Sequence, residues 1–397
     1  MEAMPENPRF QICVLTTTRA DYGLLRPLLF ALAADDSLEL RLAVTGTHLS
    51  AAFGMTVGEI EADGFSIGVR VPIFQGKMDS PSDISRVMGE AVGRFGAYFQ
   101  AHRPDLLIVL GDRYETFAVC TAALNACVPI AHLSGGETTE GAMDECFRHC
   151  ITKMSYLHFT AAETYRKRVI QLGEDPGRVF CVGELGVENA LHEKLLSPEE
   201  LEASLEFPLL CRPYVVTTFH PVTLEPGSAE RQLEELLAAI SERNDLHFLI
   251  TKSNADIGGQ GINEKLDDFA KQVPNCCVAA SLGMRRYLSA LKYAFCVLGN
   301  SSSGLVEAPS FGIPTVNIGN RQRGRLQAES VINCRPEKTD ILRALNLAGS
   351  PEFRKTAAKA VNPYGDGNAS GRIHEIIKRT MLSGPIDLRK RFYDLDF

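Results

Sequence analysis

The stretch Ile108–Cys150, IVLGDRYETFAVCTAALNACVPIAHLSGGETTEGAMDECFRHC, decides how the rest of the chain is read. Its lead-in, Leu106–Leu110, is a continuous apolar run of the kind that forms a strand buried on both faces. Gly111, Asp112 and Arg113 follow at once, and a helical stretch runs from about Tyr114 to Asn125. A second apolar run, Pro129–Leu133, leads into His132, Ser134, Gly135, Gly136 and Glu137. Asp144, Arg148 and His149 then share a helix. Polar groups therefore gather just after two successive strands, and in open α/β sheets the crevice beyond the strand C-termini is where ligands bind. Loop charge and helix capping compete with this reading, above all for Asp112 alone. Three carboxylates with an Arg and two His point to a site.

The alternation continues on both sides of this stretch. Gln11–Thr16, Leu38–Thr45 and Ile67–Val71 read as strands, with helices over Tyr22–Ala34 and Asp83–Ala101. Leu157–Ala161, Ala162–Leu172 and Val179–Val182 add strand, helix, strand. A second series has strands at Tyr214–Thr218, His247–Thr251, Cys276–Ala280, Tyr293–Leu298 and Pro314–Ile318, and helices at Ala229–Arg243 and about Leu305 to Phe311. Strands alternating with helices imply mostly parallel sheets with right-handed crossovers. With 397 residues, the expectation is two α/β domains: 1–185, a junction over 186–212, 213–372, and a final helix and tail over 373–397. The helix is expected over Gly371–Met381, and Ile386–Phe397 as a surface extension.

Composition excludes several classes. Hydrophobic content of 45% and charged content of 23% are ordinary for a globular protein. A net charge of −8 argues against a general nucleic-acid or membrane-surface binder. MEAMPENPRF lacks the basic and apolar regions of a signal peptide, and no apolar run reaches the ~18 residues of a membrane span. A cytoplasmic protein is expected. The 11 Cys are scattered and odd in number, so Cys13, Cys120, Cys181 and Cys296 read as small buried hydrophobes rather than a disulfide framework. Cys146, His149 and Cys150 share a helical face. They lack a fourth ligand and zinc spacing, and core packing beside the site is the expectation.

The second informative segment is GNSSSGLVEAPSFGIPTVNIGNRQRGR, Gly299–Arg325. Gly299 and Gly304 allow close backbone approach, and Ser301 and Ser302 stand where a helix begins, a phosphate cradle by physics and more often a plain N-cap. Glu307 is placed to accept from two ribose hydroxyls. GxxxxGK[ST] is absent, which argues against a P-loop kinase or ATPase, and no GxGxxG follows a strand, which weighs against a dinucleotide oxidoreductase. Gly258-Gly259-Gln260-Gly261 reads as a flexible loop. His220, after the strand Tyr214–Thr218, divides evenly between a structural and a catalytic role.

These residues resemble the hydrolysing UDP-N-acetylglucosamine 2-epimerases of sialic acid synthesis and their relatives in legionaminic acid synthesis. The likeness covers roughly residues 10–382. It is carried by TRADYG (Thr18–Gly23), LGDRYE (Leu110–Glu115), AHLSGGE (Ala131–Glu137), RHCITKMSYLHF (Arg148–Phe159), KRVIQLGE (Lys167–Glu174), FHPVT (Phe219–Thr223), GNSSSGLVE (Gly299–Glu307), NIGNRQRGR (Asn317–Arg325) and NPYGDGN (Asn362–Asn368). Non-hydrolysing epimerases carry HVEAG where this chain has HLSGG, so Ser134 stands where they have an acid. That departure points to the hydrolysing branch.

The resemblance implies a GT-B fold: two Rossmann-like domains, an interdomain cleft and a C-terminal helix crossing back. It implies loss of UDP from C1 with removal of the C2 proton, giving a 2-acetamidoglucal, then hydration to N-acetylmannosamine. Asp112, Glu137 and Asp144 become candidate acid/base groups, and His220 lies near the diphosphate and C1. Arg19, Arg113, Ser301 and Ser302 would hold the phosphates, Glu307 the ribose, and Asn254, Ser281 and Arg321 the uridine side. His132 and Arg148 would support the site. No cofactor is required; magnesium stays open without a motif that indicates it. A UDP-sugar is the expected partner, with neither nucleic acid nor membrane, and the assembly a homodimer or homotetramer. The sugar stays open between UDP-N-acetylglucosamine and UDP-2,4-diacetamido-2,4,6-trideoxyglucose. A GT-B glycosyltransferase and a non-catalytic UDP-sugar sensor are the rival classes.

Overall fold

The computed structural model describes residues 9–51, 54–74, 80–140, 142–222, 227–253 and 259–395. The chain divides into two compact units. One comprises Met1–Glu137, Asp144–Leu185 and Asn368–Phe397; the other comprises Thr138–Met143 and Gly186–Gly367.

The first unit is built on a seven-stranded sheet: β1 (Phe10–Thr16), β2 (Leu38–Thr45), β3 (Ile67–Val71), β4 (Leu106–Leu110), β5 (Ile130–Leu133), β6 (Leu157–Thr160) and β7 (Val179–Cys181). The order is β3-β2-β1-β4-β5-β6-β7 and every pairing is parallel. Strands covered on both faces must be apolar at every position, which is why LLIVL reads as an unbroken run. Successive residues serve opposite faces. Ile12, Val14 and Ile108 pack with Leu25, Leu28 and Leu29, while Cys13, Leu15, Leu107 and Val109 pack with Val87, Phe95 and Val119. Each such side chain contributes about 1.5–3 kcal/mol by leaving water.

The helix Ala369–Leu382 closes the first of these faces with Ile373, Ile377 and Met381, although 182 residues of the other unit precede it in the chain (Gly186–Gly367). Polar bonds fix its register. Asp35 accepts from Lys378 Nζ and His374 Nε2, each at 2.8 Å, and Lys378 above all holds its carboxyl below the usual range. The described residues after this helix, 383–395, form no regular element, yet they are anchored. Tyr393 N–H donates to Gly173 O at 3.0 Å, the Phe392 ring lies against Gly173, and Lys390 Nζ reaches Glu174 at 2.7 Å. The expected surface extension is therefore a docked strap.

The second unit has six parallel strands: β8 (Tyr214–Thr218), β9 (His247–Thr251), β10 (Cys276–Ala279), β11 (Cys296–Gly299), β12 (Thr315–Ile318) and β13 (Val331–Cys334), in the order β10-β9-β8-β11-β12-β13. Its core also has two faces, with Val215, Phe248 and Leu298 on one and Val216, Leu249 and Val297 on the other. Both sheets reverse order beside their first strand, at β1/β4 and at β8/β11. This is the Rossmann arrangement in duplicate, the expected fold class.

Some expectations fail locally. The presumed flexible run around Gly259 begins a helix, Gly259–Gln272, whose Ile262 and Leu266 are buried; Gly258 lies outside the described residues. Tertiary burial there overrides the poor helix propensity of glycine. The helix expected over Leu305–Phe311 is a four-residue α turn, Ser303–Val306, then a 3₁₀ turn, Ala308–Phe311. Pro309 has no N–H to continue the α pattern. Cys181 is exposed, because β7 is an edge strand. Cys146 and Cys150 are also exposed rather than packed into a core. Among the described residues no helix is long and apolar enough to cross a membrane.

Candidate active site

In the first unit the carboxylates are organised by a buried arginine. Arg148 sits on the helix Asp144–Met154 and is 1% exposed. Its Nη2 donates to Asp112 Oδ2, just beyond β4, and its Nη1 donates to Glu137 O at 3.0 Å and to Glu145 Oε2 at 2.5 Å. Asp144 is the first residue of the same helix, four positions before it. One guanidinium thus ties together Asp112, the Glu137 backbone and the helix that carries Asp144. An arginine suits this because it cannot lose its charge in a protein and presents its donors in a fixed fork.

The loops that present these groups are fixed from below. His132, fully buried on β5, donates from Nε2 to Gly111 O at 2.8 Å. Burial pushes its imidazole down to about 3, so the ring is neutral and its Nδ1 accepts from Thr152 Oγ1 at 3.1 Å. Gly111 has φ +75° and turns the chain into Asp112. The segment Ser134–Glu137 is pinned by Ser134 N–H on Phe159 O at 2.8 Å, by Arg168 Nη1 on Gly136 O at 2.5 Å, and by Arg148 on Glu137 O. At Gly136 (φ +76°) a Cβ would lie 2.4 Å from Tyr165 O, so only glycine fits. Glu137 itself is 4% exposed.

The two candidate phosphate-binding arginines of this unit are already engaged. Arg113 makes a fork on buried Glu115, both contacts at 3.1 Å. Arg19 opens the helix Arg19–Ala33, 3.9 Å from Glu59. The amides at that helix start are met by Asp21, which accepts from Thr17 N at 2.8 Å and Thr18 N at 3.0 Å. Asp21 thus forms a capping box with Thr18 at the helix start.

In the second unit Asn300 plays the organising role. Fully buried, it accepts from His220 N through Oδ1 at 2.7 Å and donates from Nδ2 to His220 O at 2.8 Å. This two-point clamp sets the His220 backbone just past β8. The ring is aimed by Ser253, whose Oγ is 3.0 Å from Nδ1. The Asn300 carbonyl accepts from Arg321 Nη1 at 3.1 Å and Gln322 Nε2 at 2.8 Å. Gly299, at φ +135°, passes so close to Thr218 that a Cβ would lie 2.0 Å from its carbonyl oxygen. Ser301 and Ser302 follow, half-buried, before the turn at Ser303, and Glu307 lies at the joint between the two short turns. Ser281 Oγ accepts from Gly283 N at 3.2 Å, where the helix Gly283–Tyr293 begins. Asn254 lies outside the described residues, as does Thr223 of the FHPVT match.

Comparison with known proteins places this arrangement. The model of the UDP-N-acetylglucosamine 2-epimerase family matches residues 30–378. The chain belongs to that family. It is 42% identical over 386 residues, 97% of each chain, to the Escherichia coli polysialic acid biosynthesis protein P7. It is 37% identical over 388 residues to the GDP/UDP-N,N'-diacetylbacillosamine 2-epimerase (hydrolyzing) of Campylobacter jejuni, covering 97% of this chain and 99% of that one. Its fold is similar to that of the Neisseria meningitidis UDP-GlcNAc 2-epimerase bound to UDP-GlcNAc, with a TM-score of 0.78 and 18% identity over 94% of this chain and 100% of the other.

Within this family member, three polar residues that hold candidate groups, one in the first unit and two in the second, escape sequence reading. Asn300 was passed over as part of a serine-rich turn. Ser253, two residues past β9, carries no local pattern that marks it. Glu184, which accepts from Ser134 Oγ, drew no notice at all. A signal for Glu184 did exist: it follows β7 with Gly183 before it, the same strand-end position that singled out Asp112.

Proposed function

We propose that the chain is a hydrolysing UDP-N-acetylglucosamine 2-epimerase that releases N-acetylmannosamine and UDP for sialic acid synthesis. The observation that carries the reading is the convergence of Asp112, the Glu137 backbone and the Asp144 helix on Arg148. A C2 proton is weakly acidic, so its removal needs a placed carboxylate, and departure of UDP leaves positive charge that other carboxylates stabilise. In the first stage a base takes the C2 proton, the C1–O bond breaks toward UDP and a C1=C2 double bond forms. In the second, water supplies hydroxide to C1 and a proton returns to C2 on the opposite face. Asp112, Glu137 and Asp144 share these acid and base roles.

His220, Ser301 and Ser302 meet the diphosphate, Glu307 the ribose, and Asn254, Ser281 and Arg321 the uridine side. Arg113 and Arg19 join the phosphates by exchanging their present carboxylate contacts. The reading requires no cofactor. The E. coli relative, named for polysialic acid biosynthesis, supports this sugar.

A second reading, UDP-2,4-diacetamido-2,4,6-trideoxyglucose as substrate, is favoured by the Campylobacter relative's name. Incubation with each UDP-sugar in D₂O, followed by proton NMR, separates the two. The expected result is N-acetylmannosamine carrying deuterium at C2, with free UDP and no acceptor added. Turnover of only the diacetamido sugar would move the assignment to the second reading. Product retaining the C2 proton would refute base abstraction with solvent exchange.

A further inference from the structure

We propose that Glu184 is a positioning residue that holds the Ser134–Glu137 turn in its working shape. The inference rests on the reading of Glu137 as an acid/base group. Ser134 Oγ donates to Glu184 Oε2 at 2.9 Å and lies 3.2 Å from Oε1. Glu184 is 7% exposed and follows β7, whereas Ser134 follows β5, so the bond reaches past the end of β6. Ser134 has φ +61°, a left-handed conformation uncommon for a residue with a Cβ. Something must hold it there. Its N–H bond to Phe159 O fixes the amide, and the carboxylate fixes the side chain.

The far end of the turn is held by arginines on the Gly136 and Glu137 carbonyls. The near end is held by Glu184. Between the two anchors lies Gly135, which as a glycine resists rotation least. Loss of the Glu184 anchor therefore lets Ser134 return to negative φ, and that rotation swings the Glu137 carboxyl.

The test is a set of variants assayed for UDP release, with kcat and KM measured separately. Glu184→Ala and Ser134→Ala should each lower kcat about 10- to 100-fold with KM within about 3-fold, the signature of misplacing a catalytic group. The double variant should be no worse than either single one. Glu184→Gln, whose carbonyl still accepts from Ser134, should recover most of the loss. Ser134→Gly, free to take positive φ, should be milder than Ser134→Ala.

If Ser134→Ala is normal while Glu184→Gln is as inactive as Glu184→Ala, the carboxylate acts on substrate itself and the inference falls. It falls equally if every variant keeps its kcat and loses only thermal stability. A wild-type protein inactive on both UDP-sugars would refute the functional reading instead. Crystal structures then decide the present inference separately. A Ser134–Glu137 backbone unchanged in Glu184→Ala overturns it, and Ser134 at negative φ with Glu137 displaced supports it.

Discussion

Replacing Lys390 by Met tests whether the C-terminal strap is a structural part of the first unit. Glu174 is fully buried and accepts from Lys153 Nζ at 2.6 Å, His158 Nε2 at 3.0 Å and Lys390 Nζ at 2.7 Å. Lys390 also donates to Ser155 O at 2.6 Å and Lys153 O at 3.0 Å, which uses all three ammonium donors. Despite burial, these cationic and hydrogen-bonding partners, His158 first, lower the Glu174 pKa to about 2. Stripping a buried ion of its partner costs about 3–5 kcal/mol, but Lys153 and His158 remain here, so about 2–3 kcal/mol is expected.

Methionine keeps most of the stem volume, which confines the loss to charge and hydrogen bonds. The assay is hydrogen exchange of the β6 amides, with the β8 amides of the second unit as control. A loss of that size speeds exchange through unfolding of the first unit by roughly 30- to 150-fold, at about 1.4 kcal/mol per factor of ten. In a Glu174→Gln background the same substitution should cost less than half as much, because the charge it serves has gone. Unchanged β6 exchange in Lys390→Met, or an equal cost in both backgrounds, would refute the reasoning.

The remaining predictions concern the two anchors and the buried imidazole. Arg148→Lys should lower kcat by about 10²-fold or more, since an ammonium cannot span Asp112, Glu137 O and Glu145 together; steady-state UDP release checks this. Asn300→Ala leaves the buried His220 N–H and C=O without their clamp, at about 1–3 kcal/mol each, and should weaken UDP binding in calorimetry. His132 has a folded pKa depressed by burial from 6.5 to about 3. The unfolded chain therefore binds the extra proton between those values, and stability is full above 6.5 and falls as pH drops toward 3, by at most about 1.4 kcal/mol per pH unit. Denaturant unfolding of His132→Gln against wild type should show that slope reduced.

Both sheets were legible because most strands carry a short, largely apolar run that closes at a polar turn. Leu106–Leu110, Leu38–Thr45 and His247–Thr251 begin and end where the sequence places them. Helix starts were less legible. The first helix begins at Arg19, three residues before the apolar pattern, because Thr18 and Asp21 form a capping box. The helix Gly283–Tyr293 and the strand Val331–Cys334 went unread: the helix opens on a glycine and two successive arginines with no capping side chain, and the strand is half-exposed at an edge.

The candidate residues themselves stood out by type and by their place after strands. Their supports did not, since those depend on contacts at long separation: Arg148 with Asp112 across 36 residues, Ser134 with Glu184 across 50, His220 with Asn300 across 80. No local pattern encodes such pairs.

These long-range supports share a logic that explains why the candidate groups follow strands yet are not left to their loops. A turn after a strand is exposed enough to meet substrate and, for the same reason, is poorly held by its own backbone. In the first unit the deficit is met by a buried cation, because the groups to be held are carboxylates. Arg148 satisfies Asp112 and Glu145, which would otherwise repel one another, and spends a further donor on a backbone carbonyl that locates Glu137. In the second unit the group to be held is an imidazole, which needs no counter-charge, and a neutral amide serves. Asn300 matches the donor and the acceptor of one peptide residue and leaves the His220 ring to be oriented by Ser253. The chemistry of each anchor follows from the charge of the group it holds, so exchanging anchor types between the units would leave either a buried unpaired cation or an uncompensated pair of carboxylates.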